Sequence, residues 1–110
     1  AVAVLCRVIS KPKKGILTTD LGHKAIAPEQ AMDKRIRFLN VPGARLVAQS
    51  EEHGLVKVDD DSNFKVGDVL LGIPHHVCPT INLYDRLHVV RSGEVSQVWE
   101  VDGRKRTLSI

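Results

Sequence analysis

The sequence predicts a mainly β fold, a compact antiparallel β-barrel or sandwich-like domain with one short helical segment. Three observations predict it. Short runs rich in β-branched residues recur along the 110 residues, and clusters of Gly, Pro and Asp separate them at turn-like intervals. Only residues 28–33 read as helical, with Pro28 at an early helical position where its missing N–H costs nothing. No repeat, linker or low-complexity segment interrupts the chain, so residues 1–110 read as a single domain.

The elements follow in order. Residues 2–10 are apolar on nearly both faces, which predicts an interior strand, and Lys11-Pro12-Lys13-Lys14-Gly15 breaks it. Residues 16–20 read as a second strand. After Pro42-Gly43, residues 44–50 form a third, and residues 55–59 a fourth that ends in the polar turn 60–63. Residues 66–74 read as a turn feeding a buried strand. Residues 86–91 and 94–101 form a strand pair around Ser92-Gly93, and Asp102-Gly103 is predicted to close a final hairpin.

Composition narrows the function classes. Sixteen Lys and Arg stand against 13 Asp and Glu, a net charge of +3, with 43% hydrophobic and 26% charged residues. The small positive excess is dispersed, and Phe38, Phe64, Tyr84 and Trp99 are not interleaved with it. A nucleic-acid surface is therefore not expected. No apolar run approaches the roughly 20 residues needed to cross a bilayer, and residues 1–10 read as a strand rather than a signal peptide. Cys6 and Cys78 allow one disulfide, but nothing else resembles a stapled secreted scaffold, so a reducing cytoplasm is the expected compartment. Cys6 reads as a small buried hydrophobe. The chain begins on a strand without an initiator Met, and it is expected to be a piece of a longer protein.

Chemistry-bearing side chains gather in three places. Ile73-Pro74-His75-His76-Val77-Cys78-Pro79-Thr80 crowds two imidazoles and a thiol after a strand-like run. On an extended backbone His76 and Cys78 face the same way, offering one nitrogen and one sulfur to a borderline-soft ion such as zinc. His75 then points away. Two ligands do not make a closed structural site, and the same pattern also fits a thiol beside surface imidazoles. Ser50-Glu51-Glu52-His53-Gly54 ends a strand in two carboxylates and an imidazole, so His53 is a candidate acid, base or ligand oriented by a glutamate; a solvated turn fits equally. Asp20-Leu21-Gly22-His23-Lys24 places an acid, an imidazole and an amine around a glycine. Asn82, Tyr84 and Asp85 follow the metal pair closely enough to line the same cleft.

Taken together and in this order, several motifs resemble a known family. They are residues 4–10, Asp20-x-Gly22-x-Lys24-Ala25, Ser50-Glu51-Glu52-His53-Gly54, Gly67-Asp68 and Pro74-x-His76-Val77-Cys78-Pro79-Thr80-x-Asn82-Leu83. The chain is similar over nearly its whole length to the C-terminal domain of the D-threonine aldolase and D-serine dehydratase family, alanine-racemase-like (fold type III) enzymes that use pyridoxal phosphate. The resemblance implies that His76 and Cys78 hold a divalent metal, zinc or alternatively manganese, that acts as a Lewis acid on the hydroxyl of a small D-3-hydroxy amino acid. It also implies a preceding (β/α)₈ barrel carrying the pyridoxal phosphate and a homodimeric parent. That barrel is missing from these residues, so the chain alone is expected to be inactive. The competing expectation is a non-catalytic β-barrel interaction module.

Overall fold

The structure is a computed structural model that describes residues 2–109. Six strands form one antiparallel sheet: β1 (Val4–Lys13), β2 (Ile16–Thr19), β3 (Ile36–Phe38), β4 (Arg45–Gln49), β5 (Gly54–Lys57) and β6 (Val69–Pro74). Their order across the sheet is β3-β6-β1-β2-β5-β4. The two ends of that order, β3 and β4, come into contact, so the sheet curls into a nearly closed barrel. The mainly β, barrel-like expectation is met.

Curling a sheet on itself leaves one face inside and one outside, and the sequence alternation records it. On β1 the buried residues are Val4, Cys6 and Val8, and the residues between them are exposed. Here the expectation of burial on both faces is corrected. Leu5 and Ile9 stand on the outer face of a single-layer sheet, 55% and 42% exposed. β1 does lie inside the sheet, hydrogen-bonded between β6 and β2. It also runs on through Lys11-Pro12-Lys13, which the sequence had marked as a break. Two register shifts against β2 accommodate this stretch, where proline's missing donor is tolerated.

The barrel interior is filled by Val4, Cys6, Val8, Leu17, Leu46, Val56 and Leu70 from the sheet. Leu21 and Ile26, from the long connection between β2 and β3, are completely buried and join this core. Burial pushes the Cys6 thiol up to about 12, with the Asp20 carboxylate adding to it and a Thr19 hydrogen bond opposing. Cys6 and Cys78 are both free thiols, one buried and one exposed.

The expected helical turn at residues 28–33 is displaced. A single 3₁₀ turn covers Met32–Lys34, and Pro28 lies in the irregular segment before it. The only α-helix among the described residues is α1 (Val77–Ile81), directly after β6.

Strands β7 (Arg86–Arg91) and β8 (Glu94–Glu100) form a separate hairpin. Ser92 and Gly93 both adopt positive φ, 51° and 79°, the twist that a two-residue hairpin turn requires. Every residue of β8 is exposed, Trp99 included. The radius of gyration of 15.0 Å exceeds the roughly 13 Å of a globular chain this long, because this hairpin stands off the barrel. Asp102-Gly103 does not close another hairpin. It begins a 3₁₀ turn, Asp102–Arg104, and among the described residues no strand follows to pair with β8. Instead Arg104 Nε donates to Asp85 Oδ1 at 2.5 Å and Arg104 Nη1 donates to the Asn82 carbonyl at 2.8 Å, tying the tail to the start of the hairpin.

Candidate functional site

The His-Val-Cys segment sits where β6 turns into α1. Pro74 is the last residue of β6, and His75 stays tethered to the neighbouring segment by its amide, which donates to the Arg35 carbonyl at 3.0 Å. His76 keeps an extended backbone (φ −111°, ψ 102°) and serves as the residue preceding the helix. The next residues turn helical. Pro79 is compatible with this because the first-turn amides of a helix have no intrahelical acceptor. The expectation of an extended His76-Val77-Cys78 is therefore corrected: Cys78 lies in the first turn of α1. The two residues thus sit at the start of a short helix and not at alternate positions of a strand. Both remain exposed to solvent.

Tertiary contacts hold this turn in place. Thr80 is 1% exposed. Its hydroxyl donates to the His76 carbonyl at 3.1 Å and accepts from the Ala27 amide at 3.2 Å. The Tyr84 hydroxyl donates to the Ala25 carbonyl at 2.7 Å, and burial, with Asp20 and Cys6 nearby, raises its pKa. The connection carrying Ala25 and Ala27 is thus pinned along α1. Two residues further on, Glu29 Oε1 lies 2.7 Å from His76 Nδ1. With Glu29 ionised, the carboxylate accepts and Nδ1 is the donor. Glu29 is 47 positions from His76 in the chain, and no local spacing announced the contact.

His75 belongs elsewhere. It lines an open groove with Asp33, Lys34, Arg37 and Arg45 on the β3 side, consistent with its expected divergence from His76. The other two sequence clusters are brought against each other. The amides of His23 and Lys24 donate to the carbonyls of Ser50 and Glu51 at 2.9 and 3.2 Å. Gly22 permits the approach, since a Cβ there would lie 2.2 Å from the Glu51 carbonyl oxygen. Lys24 forms an ion pair with Glu52. Their hydrogen bond holds the lysine above and the glutamate below their usual ranges. His53 is exposed, and the neighbouring Glu52 is engaged by Lys24.

Tyr84, Asp85 and Asn82 brace the loop and the tail as described. Among the described residues, no group of three or more His, Cys, Asp or Glu side chains is placed to enclose a metal ion. Among the described residues no helix is long and apolar enough to cross a membrane.

Residues 1–90 match the family described as the putative serine dehydratase domain. The chain belongs to that family. D-threonine aldolase of Arthrobacter sp is 37% identical over 102 residues, which are 92% of this chain and 26% of that protein. The 3-hydroxy-D-aspartate aldolase of Paracoccus denitrificans is 35% identical over 105 residues, 94% of this chain and 26% of that protein. Among solved structures, D-threonine aldolase from Filomicrobium marinum superposes with a TM-score of 0.82 at 31% identity. It covers 93% of this chain and 28% of that one. D-threo-3-hydroxyaspartate dehydratase from Delftia sp. HT23 gives a TM-score of 0.72 at 25% identity, over 89% and 31%. This member of the serine dehydratase domain family thus spans about a quarter of the length of the curated relatives it matches. The β fold and the family read from the ordered motifs both hold.

Proposed function

We propose that this chain is the metal-bearing β domain of a pyridoxal-phosphate-dependent lyase acting on D-amino acids with a 3-hydroxyl group. Three kinds of relative support the substrate class, because D-threonine, 3-hydroxy-D-aspartate and D-threo-3-hydroxyaspartate share that pattern and are named with aldolase or dehydratase activity. The observation that carries the reading is the exposed pair His76 and Cys78 at the mouth of α1, with the other ring nitrogen of His76 already taken by Glu29.

The donor set fits an open metal site. One imidazole nitrogen and one thiolate suit zinc better than manganese, which prefers oxygen donors. Two protein donors also leave coordination positions free, as catalytic sites require and structural ones do not. A bound ion there would polarise the substrate hydroxyl as a Lewis acid, and pyridoxal phosphate would supply the electron sink at Cα. His76 would bind through neutral Nε2 and Cys78 as thiolate, so the pair must lose protons to bind and affinity falls as pH drops. Thr80 fixes the His76 backbone, and the connection closed by Tyr84 fixes Thr80's partner. The pyridoxal phosphate and its lysine would lie in the part of the protein outside this chain, and the 110 residues alone are expected to be inactive.

Turnover of the full-length protein on D-serine, D-threonine and 3-hydroxy-D-aspartate tests the reading. A keto acid and ammonia report dehydration, whereas glycine and an aldehyde report aldol cleavage. His76→Ala and Cys78→Ala are each expected to abolish metal-dependent turnover. Full turnover by either variant after metal removal refutes the mechanism.

A further inference from the structure

We infer that Glu29 is a positioning residue for the metal site: it holds the His76 ring with Nδ1 protonated and so presents Nε2, with its lone pair, to the metal. The inference deepens the reading of His76 and Cys78 as metal donors and rests on it.

Four observations carry it. The Glu29–His76 contact is 2.7 Å long, between side chains that are 41% and 49% exposed. An exposed pair of this kind contributes little to stability, so removing it tests the metal site without unfolding the protein. Second, a carboxylate on Nδ1 fixes the tautomer, and the remaining nitrogen becomes the only one able to ligate. Third, Glu29 is itself held. Gln30 Nε2 donates to Glu29 Oε2 at 2.9 Å while Oε1 meets His76, so each carboxylate oxygen has a partner that orients the group. Fourth, the segment that delivers Glu29 is fastened to the helix that delivers Cys78. The Ala27 amide meets the Thr80 hydroxyl, and the same hydroxyl meets the His76 carbonyl. The imidazole is therefore fixed at both ends, by Thr80 through its backbone and by Glu29 through its ring.

Metal-ligating histidines generally donate their second nitrogen to such an acceptor, and losing the acceptor costs about 10- to 100-fold in metal affinity. The test uses the full-length protein with zinc as the probe, its affinity measured by competition with chelators of graded strength. Glu29→Ala is expected to weaken zinc binding by about 10- to 100-fold, and Glu29→Gln, whose amide oxygen still accepts from Nδ1, by distinctly less. A structural role for Glu29 would act on any background. A positioning role acts only through His76, so Glu29→Ala should change zinc affinity less than about twofold when His76→Ala is already present. Unchanged affinity in Glu29→Ala, or an equal loss on the His76→Ala background, overturns the inference while leaving the donor assignment intact. Unchanged affinity in both His76→Ala and Cys78→Ala overturns the donor assignment, and this inference with it.

Discussion

Replacing Thr80 by Val keeps the shape of the side chain and removes its hydroxyl, the buried group that joins the His76 backbone to the connection between β2 and β3. The magnitude follows from what each partner loses. Ala27 is 6% exposed, so its amide, which donates to Thr80 Oγ1 at 3.2 Å, finds no water in exchange. A buried donor left unsatisfied costs about 1–3 kcal/mol. His76 is exposed, and its carbonyl recovers a water when Thr80 stops donating, so that bond contributes only about 1 kcal/mol net. The sum, about 2–4 kcal/mol, should appear as a lower urea midpoint with an unchanged slope. Thr80→Ser keeps the hydroxyl and loses one buried methyl, for about 1 kcal/mol, and it should keep zinc affinity where Thr80→Val reduces it. A Thr80→Val protein within about 0.5 kcal/mol of the parent, the range of an ordinary surface change, would refute the claim that this hydroxyl fastens the site.

Two further outcomes test the scaffold. Gly22→Ala should destabilise the fold by about 3 kcal/mol, because its Cβ would meet the Glu51 carbonyl oxygen at 2.2 Å and both clashing partners are backbone; an unchanged urea midpoint would show that the two loops do not approach as described. The Cys6 thiol, raised from 9.0 to about 12 by burial, ionises in the unfolded chain first, so its contribution is complete below pH 9 and is lost as pH rises toward 12. Stability should fall over that window by up to about 4 kcal/mol, and Cys6→Ala should flatten this part of the pH profile; equal alkaline slopes in the two proteins would contradict the buried thiol.

What could be read from the sequence, and what could not, separates along contact distance. The strands β1, β2, β4, β5, β6, β7 and β8 announced themselves because β-branched runs between turn residues are local signals. β3 (Ile36–Phe38) did not, since three residues are too few to establish a period of two. The outer residues Leu5 and Ile9 made β1 look buried on both faces, because apolar content marks what a side chain is and not which face the curling sheet gives it. The helix α1 was hidden for a related reason. Two prolines flank the His-Val-Cys segment, and local propensity favours extension there. Contacts from Thr80 to Ala27 and from Tyr84 to Ala25, 53 and 59 positions away, favour the turn instead.

The same division explains why the candidate site looked half-built. Two donors separated by one residue are legible in any sequence, and His76 and Cys78 were. The groups that would orient such donors act from a distance: Glu29 on the ring of His76, Thr80 on its carbonyl, and the connection between β2 and β3 that carries Glu29. That connection is anchored by Leu21 and Ile26, both fully buried, so the barrel core sets the position of a carboxylate several residues beyond it. On the proposed reading, packing and metal binding are coupled through this one segment. A substitution that loosens Ile26 in the core should therefore weaken zinc binding at His76 without touching either donor, and one confined to the exposed β7–β8 hairpin should not. Measuring zinc affinity for Ile26→Val beside Val95→Ala separates the two, and equal affinities would break the link between core and site.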